Sequence, residues 1–235
     1  MSYNDRITNN ILNKGNSYGS DMEIIDDDQI HEVILFRGCT SRFRENELID
    51  NVKACLDKKN IKYSTLTDES CCGIMLYIIN KKEEADKVVE ENIKKFNKHG
   101  VKEIITICPG CYESFRDYYS KHPDFNIKIN FAMDLFNDNQ IDGTGHIIHD
   151  PCHALERNKQ VRSIIQNVPK KRANSCCGFG VGVTTGNKEL GLKMAKITLS
   201  GKKVVTYCPS CYHNLKKVDS EKTVDFFKLM KEQLS

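Results

Sequence analysis

One phrase of five cysteines, written twice, constrains this chain more than anything else in it: Cys, then Cys-Cys-Gly, then Cys-Pro-x-Cys. The first copy uses Cys39, Cys71, Cys72, Cys108 and Cys111, with gaps of 31 and 35 residues between its three parts. The second uses Cys152, Cys176, Cys177, Cys208 and Cys211, with gaps of 23 and 30. Equivalent cysteines are offset by 113, 105 and 100 residues in the same order, which an internal duplication with shortened loops explains and chance does not. Such a chain is expected to fold as two versions of one unit, each gathering five thiols.

The surroundings of the cysteines decide what the thiols are for. The N-terminus (MSYNDRITNNILNKG) has neither the apolar core nor the small-residue cleavage site of a secretory signal, so the expected compartment is the cytoplasm. There, 11 cysteines in 235 residues point to metal binding or redox chemistry rather than to disulfides. Net charge is only +3, and the lysines come as scattered pairs close to acids, so no basic stripe argues for nucleic acid. The longest apolar run, residues 74–79, is far too short for a membrane span.

Short apolar runs alternate with helical periodicity. Residues 33–36, 61–66, 104–107, 146–149 and 203–207 read as strands. A helix with Leu48, Ile49, Val52, Cys55 and Leu56 on one face follows the first strand. A longer one with Ala85, Val88, Val89, Ile93 and Phe96 on one face ends at Gly100. In the second copy, residues 154–168 read as mostly helical, and 186–199 as a helix presenting Leu190, Met194 and Ile197. Strand–helix alternation predicts an α/β fold with small parallel sheets, and such sheets gather ligands at the C-terminal ends of their strands. The expected domains are a flexible, solvated lead-in or docking arm at 1–32, a first half at 33–140 and a shortened second half at 141–235.

Five thiols per half are more than the four of a closed zinc site, and the tight C-x2-C-x2-C run of an ordinary cubane cluster is absent. Soft thiolates select iron–sulfur clusters or zinc, and both stay open on the residues alone.

The two phrases, together with Phe36-Arg-Gly-Cys39, Cys108-Pro-Gly-Cys111-Tyr and His149-Asp-Pro-Cys152-His, resemble the cysteine-rich CCG domain family over residues 33–218. The likeness is to the B and D subunits of heterodisulfide reductase, in the D case to its C-terminal part. It extends to the iron–sulfur subunits of glycolate, lactate and glycerol-3-phosphate oxidation. The resemblance implies two Rossmann-like half-domains related by a pseudo-two-fold. It also implies that each quintet of cysteines (Cys39, Cys71, Cys72, Cys108, Cys111; Cys152, Cys176, Cys177, Cys208, Cys211) holds a non-cubane [4Fe–4S] cluster. The implied role is that of an oxygen-sensitive subunit reducing a small disulfide, fed by a ferredoxin-like iron–sulfur subunit or a flavoprotein, as in anaerobic metabolism. Two alternatives accompany it. The chain can be a non-catalytic relay or scaffold for a flavoprotein dehydrogenase or an enzyme-activation complex. With its contracted gaps, the second half can hold zinc beside one iron–sulfur cluster.

Smaller signals complete the expectations. Cys55 reads as a small core residue. His149 and His153 flank Cys152, as ligands, as proton donors (His153 the candidate) or as hydrogen-bond donors to the cluster sulfurs. Arg37, Arg42, Arg44 and Arg157 lie near motif cysteines, either to rim an anionic substrate or as ordinary surface arginines. Tyr112 and Tyr212 read as packing residues. The glycine-rich stretch at 178–186 lacks the Lys-Ser/Thr ending of a phosphate loop and is not a nucleotide site.

Overall fold

A computed structural model describes residues 2–21, 32–170, 176–180, 183, 187–199 and 201–234. The expectations for residues 22–31 of the lead-in, and for 181–182 and 184–186 of the glycine-rich stretch, lie outside the described residues. The chain forms two compact units, Met1–Phe43 with Ile61–Phe131 and Arg44–Asn60 with Ala132–Ser235.

The first unit is built on a parallel sheet of β1 (Val33–Phe36), β2 (Glu103–Thr106) and β3 (Lys128–Phe131), in that order. Each strand is four residues long, and Val33, Ile34, Leu35 and Phe36 pair in register with Glu103, Ile104, Ile105 and Thr106. The run at 61–66 is not a strand. Only Ser64 bridges to β1, accepting from the Leu35 amide and donating to the Val33 carbonyl. Parallel strands need long crossovers, and these carry α2 (Cys39–Phe43), α4 (Ile74–Ile78), α5 (Lys82–Lys98) and α6 (Pro109–Asp117). The core runs from Ile34 and Phe36 through Ile93, Phe96 and Phe115 to Tyr119, and Cys72 and Cys111 are part of it.

The lead-in is no solvated tail where it is described. Residues Tyr3–Lys14 form α1, opened by a reciprocal capping box between Ser2 and Asp5 and closed by Gly15 in a left-handed conformation. Its Ile7 and Ile11 are buried with Cys71, Leu76, Ala85 and Val88.

The second unit repeats the plan with β5 (His146–His149), β7 (Lys203–Thr206) and β8 (Thr223–Asp225), all parallel. A smaller parallel pair joins β4 (Ile141–Asp142) to β6 (Ile165–Gln166). Its described helices include α7 (Asn158–Ile164), α8 (Lys188–Leu199), α9 (Pro209–Lys216) and α10 (Phe226–Gln233). The helix expected over 186–199 exists, but its buried side is Gly191, Ala195, Thr198 and Leu199, whereas Leu190 and Ile197 are exposed. Small residues let α8 approach its neighbours closely, so its core stripe is not its most apolar one.

One element crosses from sequence half to spatial unit. Helix α3 (Asn46–Lys58) follows β1 in the chain but belongs to the second unit. Its face of Leu48, Ile49, Val52, Cys55 and Leu56 is buried, each large aliphatic side chain contributing about 1.5–3 kcal/mol. Asn51 donates to Asp225, Lys231 donates to Asn51, and the Cys55 thiol donates to the Phe227 carbonyl, all tying α3 to β8 and α10. Ahead of α3, the buried Glu45 carboxylate is bonded to His213 (2.6 Å) and Lys216 (2.9 Å) of α9.

Candidate metal centres

The strand ends deliver the cysteines. Cys39 and Cys108 stand three and two residues beyond β1 and β2; Cys152 and Cys208 stand at the same distances beyond β5 and β7. In each Cys-Pro-x-Cys the first cysteine caps a helix (Cys108 for α6, Cys208 for α9) and proline takes the first turn, where its missing N–H costs nothing. The second cysteine then lies in the first turn, where the positive end of the helix dipole favours thiolate. Gly38 must be glycine: its φ is +74°, and a Cβ there would stand 3.2 Å from the Cys111 sulfur.

In the first unit the five sulfurs form one hydrogen-bonded ladder, Cys39–Cys71–Cys72–Cys111–Cys108. The Cys72 thiol is pushed down to about 6 because Cys111 and Cys71 both donate to it. Cys111 and Cys39 are raised by donating to their neighbours and by burial. The hydrogen bonds of the ladder thus converge on Cys72.

The second unit repeats this around Cys177. Hydrogen bonds from Cys176 and Cys211, joined by one from His149, hold its thiol far below the ordinary value. Cys208 extends the ladder beyond Cys211, and Cys152 interacts electrostatically with Cys176. Donor atoms of His149, Cys177 and Cys211 lie within 4.8 Å of one another, and all three residues are buried. Cys152 and Cys176 are exposed, unlike their counterparts Cys39 and Cys71.

Both vicinal pairs are held by matched contacts. The Gly73 amide faces the Cys71 sulfur at 3.5 Å and the Gly178 amide faces the Cys176 sulfur at 3.3 Å. Gly178 has φ +79° and no room for a side chain, since a Cβ would meet the Gly191 carbonyl oxygen at 2.2 Å. The carbonyls of the pairs are held too. Asn92 donates to Cys71 (2.8 Å) and Ser114 to Cys72 (2.7 Å); Thr198 donates to Cys176 (3.3 Å) and Asn214 to Cys177 (2.7 Å). None of these four stands out in the sequence. A signal exists all the same: Ser114 and Asn214 are offset by 100 residues, like the cysteines three positions before them.

The N-terminal arm also belongs to the first centre. The Gly15 carbonyl accepts from the Cys71 amide at 2.7 Å, Ser17 is hydrogen-bonded to Cys39, and Tyr18 shares a hydrogen bond with Thr40. Asn16, fully buried, pins the arm through the carbonyls of Lys14 and Ser20 and the amides of Tyr18 and Ser20.

Three of the four arginines are held by partners within their own units, and Arg44 is exposed. Arg37 is buried against Glu69, whose carboxylate also accepts from the amides of Arg37 (3.0 Å) and Gly38 (2.9 Å). Arg42 donates to the Glu69 carbonyl, and Arg157 is ion-paired with Asp134. In the second unit a buried Asp150 takes a bidentate pair from Arg162 and a hydrogen bond from Tyr207. Tyr112 packs on Phe131, and Tyr212 donates to Glu47. Cys55 is fully buried in the core. His153 is half-buried in the 3-10 turn Cys152–Arg157.

Soft, buried thiols that replace a proton by a metal fit iron–sulfur clusters and zinc. A further sign is an orphan. The hydroxyls of Thr106 and Thr206, at matched strand ends two residues before Cys108 and Cys208, are buried without a hydrogen-bond partner among the described residues. In-register strand neighbours share a face, so Thr106 lies beside Phe36 and Thr206 beside His149, on the sulfur side.

Comparison with known proteins agrees with this geometry. The sequence profile of the cysteine-rich domain (CCG) matches residues 33–116 and again 147–216. An uncharacterized iron–sulfur protein of Methanococcus maripaludis is 25% identical over 217 residues, 84% of this chain and 43% of the relative. The D subunit of dihydromethanophenazine:CoB–CoM heterodisulfide reductase from Methanosarcina barkeri is 25% identical over 218 residues (78% and 53%). The B subunit of fumarate reductase (CoM/CoB) from Methanothermobacter marburgensis is 26% identical over 205 residues (77% and 41%). The chain spans about half the length of these relatives. Among the described residues no helix is long and apolar enough to cross a membrane.

Proposed function

The chain belongs to the cysteine-rich CCG domain family, and on that premise we propose that it is an iron–sulfur oxidoreductase subunit of heterodisulfide-reductase type. The observation that carries this reading is the pair of matched sulfur ladders at the ends of parallel strands, each centred on the second cysteine of a vicinal pair. Cys39, Cys71, Cys72, Cys108 and Cys111 would hold one non-cubane [4Fe–4S] cluster, and Cys152, Cys176, Cys177, Cys208 and Cys211 the other. When bound, such clusters supply one-electron transfer, and two of them match the two electrons that reduce a disulfide.

The chain's own residues do the rest. Helix dipoles at α6 and α9 oppose part of the rise that hydrogen-bond donation and burial impose on the Cys111 and Cys211 thiols. Asn92, Ser114, Thr198 and Asn214 fix the vicinal pairs so that adjacent sulfurs project in set directions. A ferredoxin-like iron–sulfur subunit or a flavoprotein would deliver electrons, and a small disulfide would be the substrate. In the second unit the half-buried His153, next to the exposed Cys152, would return a proton to a product thiolate.

The test is anaerobic purification with iron, sulfide and zinc counts, followed by thiol release from a disulfide with a reduced one-electron donor. The expectation is about eight iron and eight sulfide per chain, with thiol produced. Zinc in both centres without iron would overturn the reading. Full iron–sulfur loading without thiol release would reduce the chain to a relay.

A further inference from the structure

The repeats match in their cysteines but not at the last residue of the first strand. Phe36 ends β1 in register with Thr106, and His149 ends β5 in register with Thr206. Both are three residues before the first motif cysteine. The position is therefore the same in both units, and its side chain points to the same side of the sheet. In the first unit that place is aromatic core: the Phe36 ring meets Phe115 edge-on at 4.9 Å and Phe96 at 6.4 Å. In the second unit the counterpart of Phe115 is the aliphatic Leu215, so that aromatic partner is gone. An imidazole buried in a core position costs free energy unless its nitrogens are engaged. Here a ring nitrogen faces sulfur, hydrogen-bonded to Cys177 and within 4.8 Å of the Cys211 sulfur.

Resting on the reading of the cysteine quintets as metal sites, we propose that the two centres differ in donor chemistry: His149 is a nitrogen ligand of the second centre, alongside Cys177 and Cys211. Three donor atoms mutually within 4.8 Å span the faces of a single metal ion's coordination sphere, since thiolate and imidazole bind at about 2.3 and 2.0–2.1 Å. The first centre has no such donor, because Phe36 occupies the place. All five cysteines of the second phrase are kept, so His149 adds a neutral nitrogen donor to the thiolates rather than replacing one.

The experiment uses the full chain, loaded and purified anaerobically. Nitrogen hyperfine spectroscopy on the reduced protein, with and without 15N-histidine, reads a paramagnetic second centre; X-ray absorption at the zinc edge reads a zinc one. The expected result is a directly bound nitrogen in wild type, lost in His149→Phe, which installs the first repeat's own residue, and retained in His153→Asn. His149→Cys should convert the site to sulfur ligation alone. The wild-type isotope measurement needs no variant to fold. A loaded second centre with no bound nitrogen, or a nitrogen that persists in His149→Phe, would overturn the inference while leaving the metal reading intact. A second centre that binds neither iron nor zinc would overturn both, and metal counts tell the cases apart.

Discussion

The amide of Cys71 donates to the carbonyl of Gly15 at 2.7 Å, so the N-terminal arm is bonded to the backbone of the first sulfur ladder. Ile7 and Ile11 bury beside the same cysteine. Deleting residues 1–20 should destabilise the first unit by about 3 kcal/mol or more, from two isoleucines at about 1.5–3 kcal/mol each. Time courses of metal release to a chelator would check it: faster loss from the first centre, no change at the second.

Glu69 joins two amides and a guanidinium in a buried site beside Gly38. Glu69→Ala leaves Arg37 buried without its carboxylate, a change that costs about 3–5 kcal/mol. Glu69→Gln keeps an acceptor and should cost less. Chemical denaturation followed by the absorbance of the first centre would rank wild type above Gln and Gln above Ala. Equal midpoints for all three would count against this role.

Ser114 and Asn214 make the same contact in the two units. Each alanine variant leaves a buried carbonyl short of a partner and should lose about 1–3 kcal/mol, with the spectral change confined to its own centre. Cross-perturbation of both centres by either variant would contradict the equivalence.

Asp225 lies buried beneath α3 and α10, and burial pushes its carboxyl up to about 7 despite donors from Asn51 and the Lys228 amide. Glu47 faces it and adds to the rise. The folded chain therefore binds a proton that the unfolded chain has released between about pH 4 and pH 7, so stability falls as pH rises through that window. The effect is on the order of 4 kcal/mol. Asp225→Asn keeps the cap on α10 and should flatten the profile, raising the urea midpoint at pH 8 but not at pH 4.

Cys72 and Cys177 are the centres of their ladders. Replacing either by Ser should strip or convert its own centre and leave the metal of the other. Unchanged metal content and spectra in both variants would remove the ligand assignment.

Much of this was legible because periodicity and motif order are local. The four strands that lead into motif cysteines, the α5 face and the buried Cys55 follow from apolar spacing. What escaped was tertiary. Ser64 lies in a run that reads as a strand, yet it makes a single bridge, because the pattern does not reveal how many partners are at hand. In α8 the apolar stripe of Leu190 and Ile197 is exposed, because the small Gly191, Ala195 and Thr198 form the buried side. Arg37 and Arg42 looked like surface charges near a pocket; their shared partner Glu69 lies some thirty residues away in the chain. The lead-in had little periodicity to offer, and the role of Asn16 and Gly15 depends on what they meet in space.

The placement of α3 has a genetic consequence. A fragment that stops after the first cysteine phrase carries Leu48, Val52 and Leu56 with nothing to cover them, and a fragment that begins after it lacks the helix that covers Phe227 and Asp225. Once a helix from one half completes the unit of the other, the halves of a duplicated gene are no longer interchangeable parts. Recombination can move the pair as a block or splice new segments at its outer ends, but a cut at the repeat boundary yields two broken products. Lineages descending from it would keep the tandem intact while diversifying whatever flanks it.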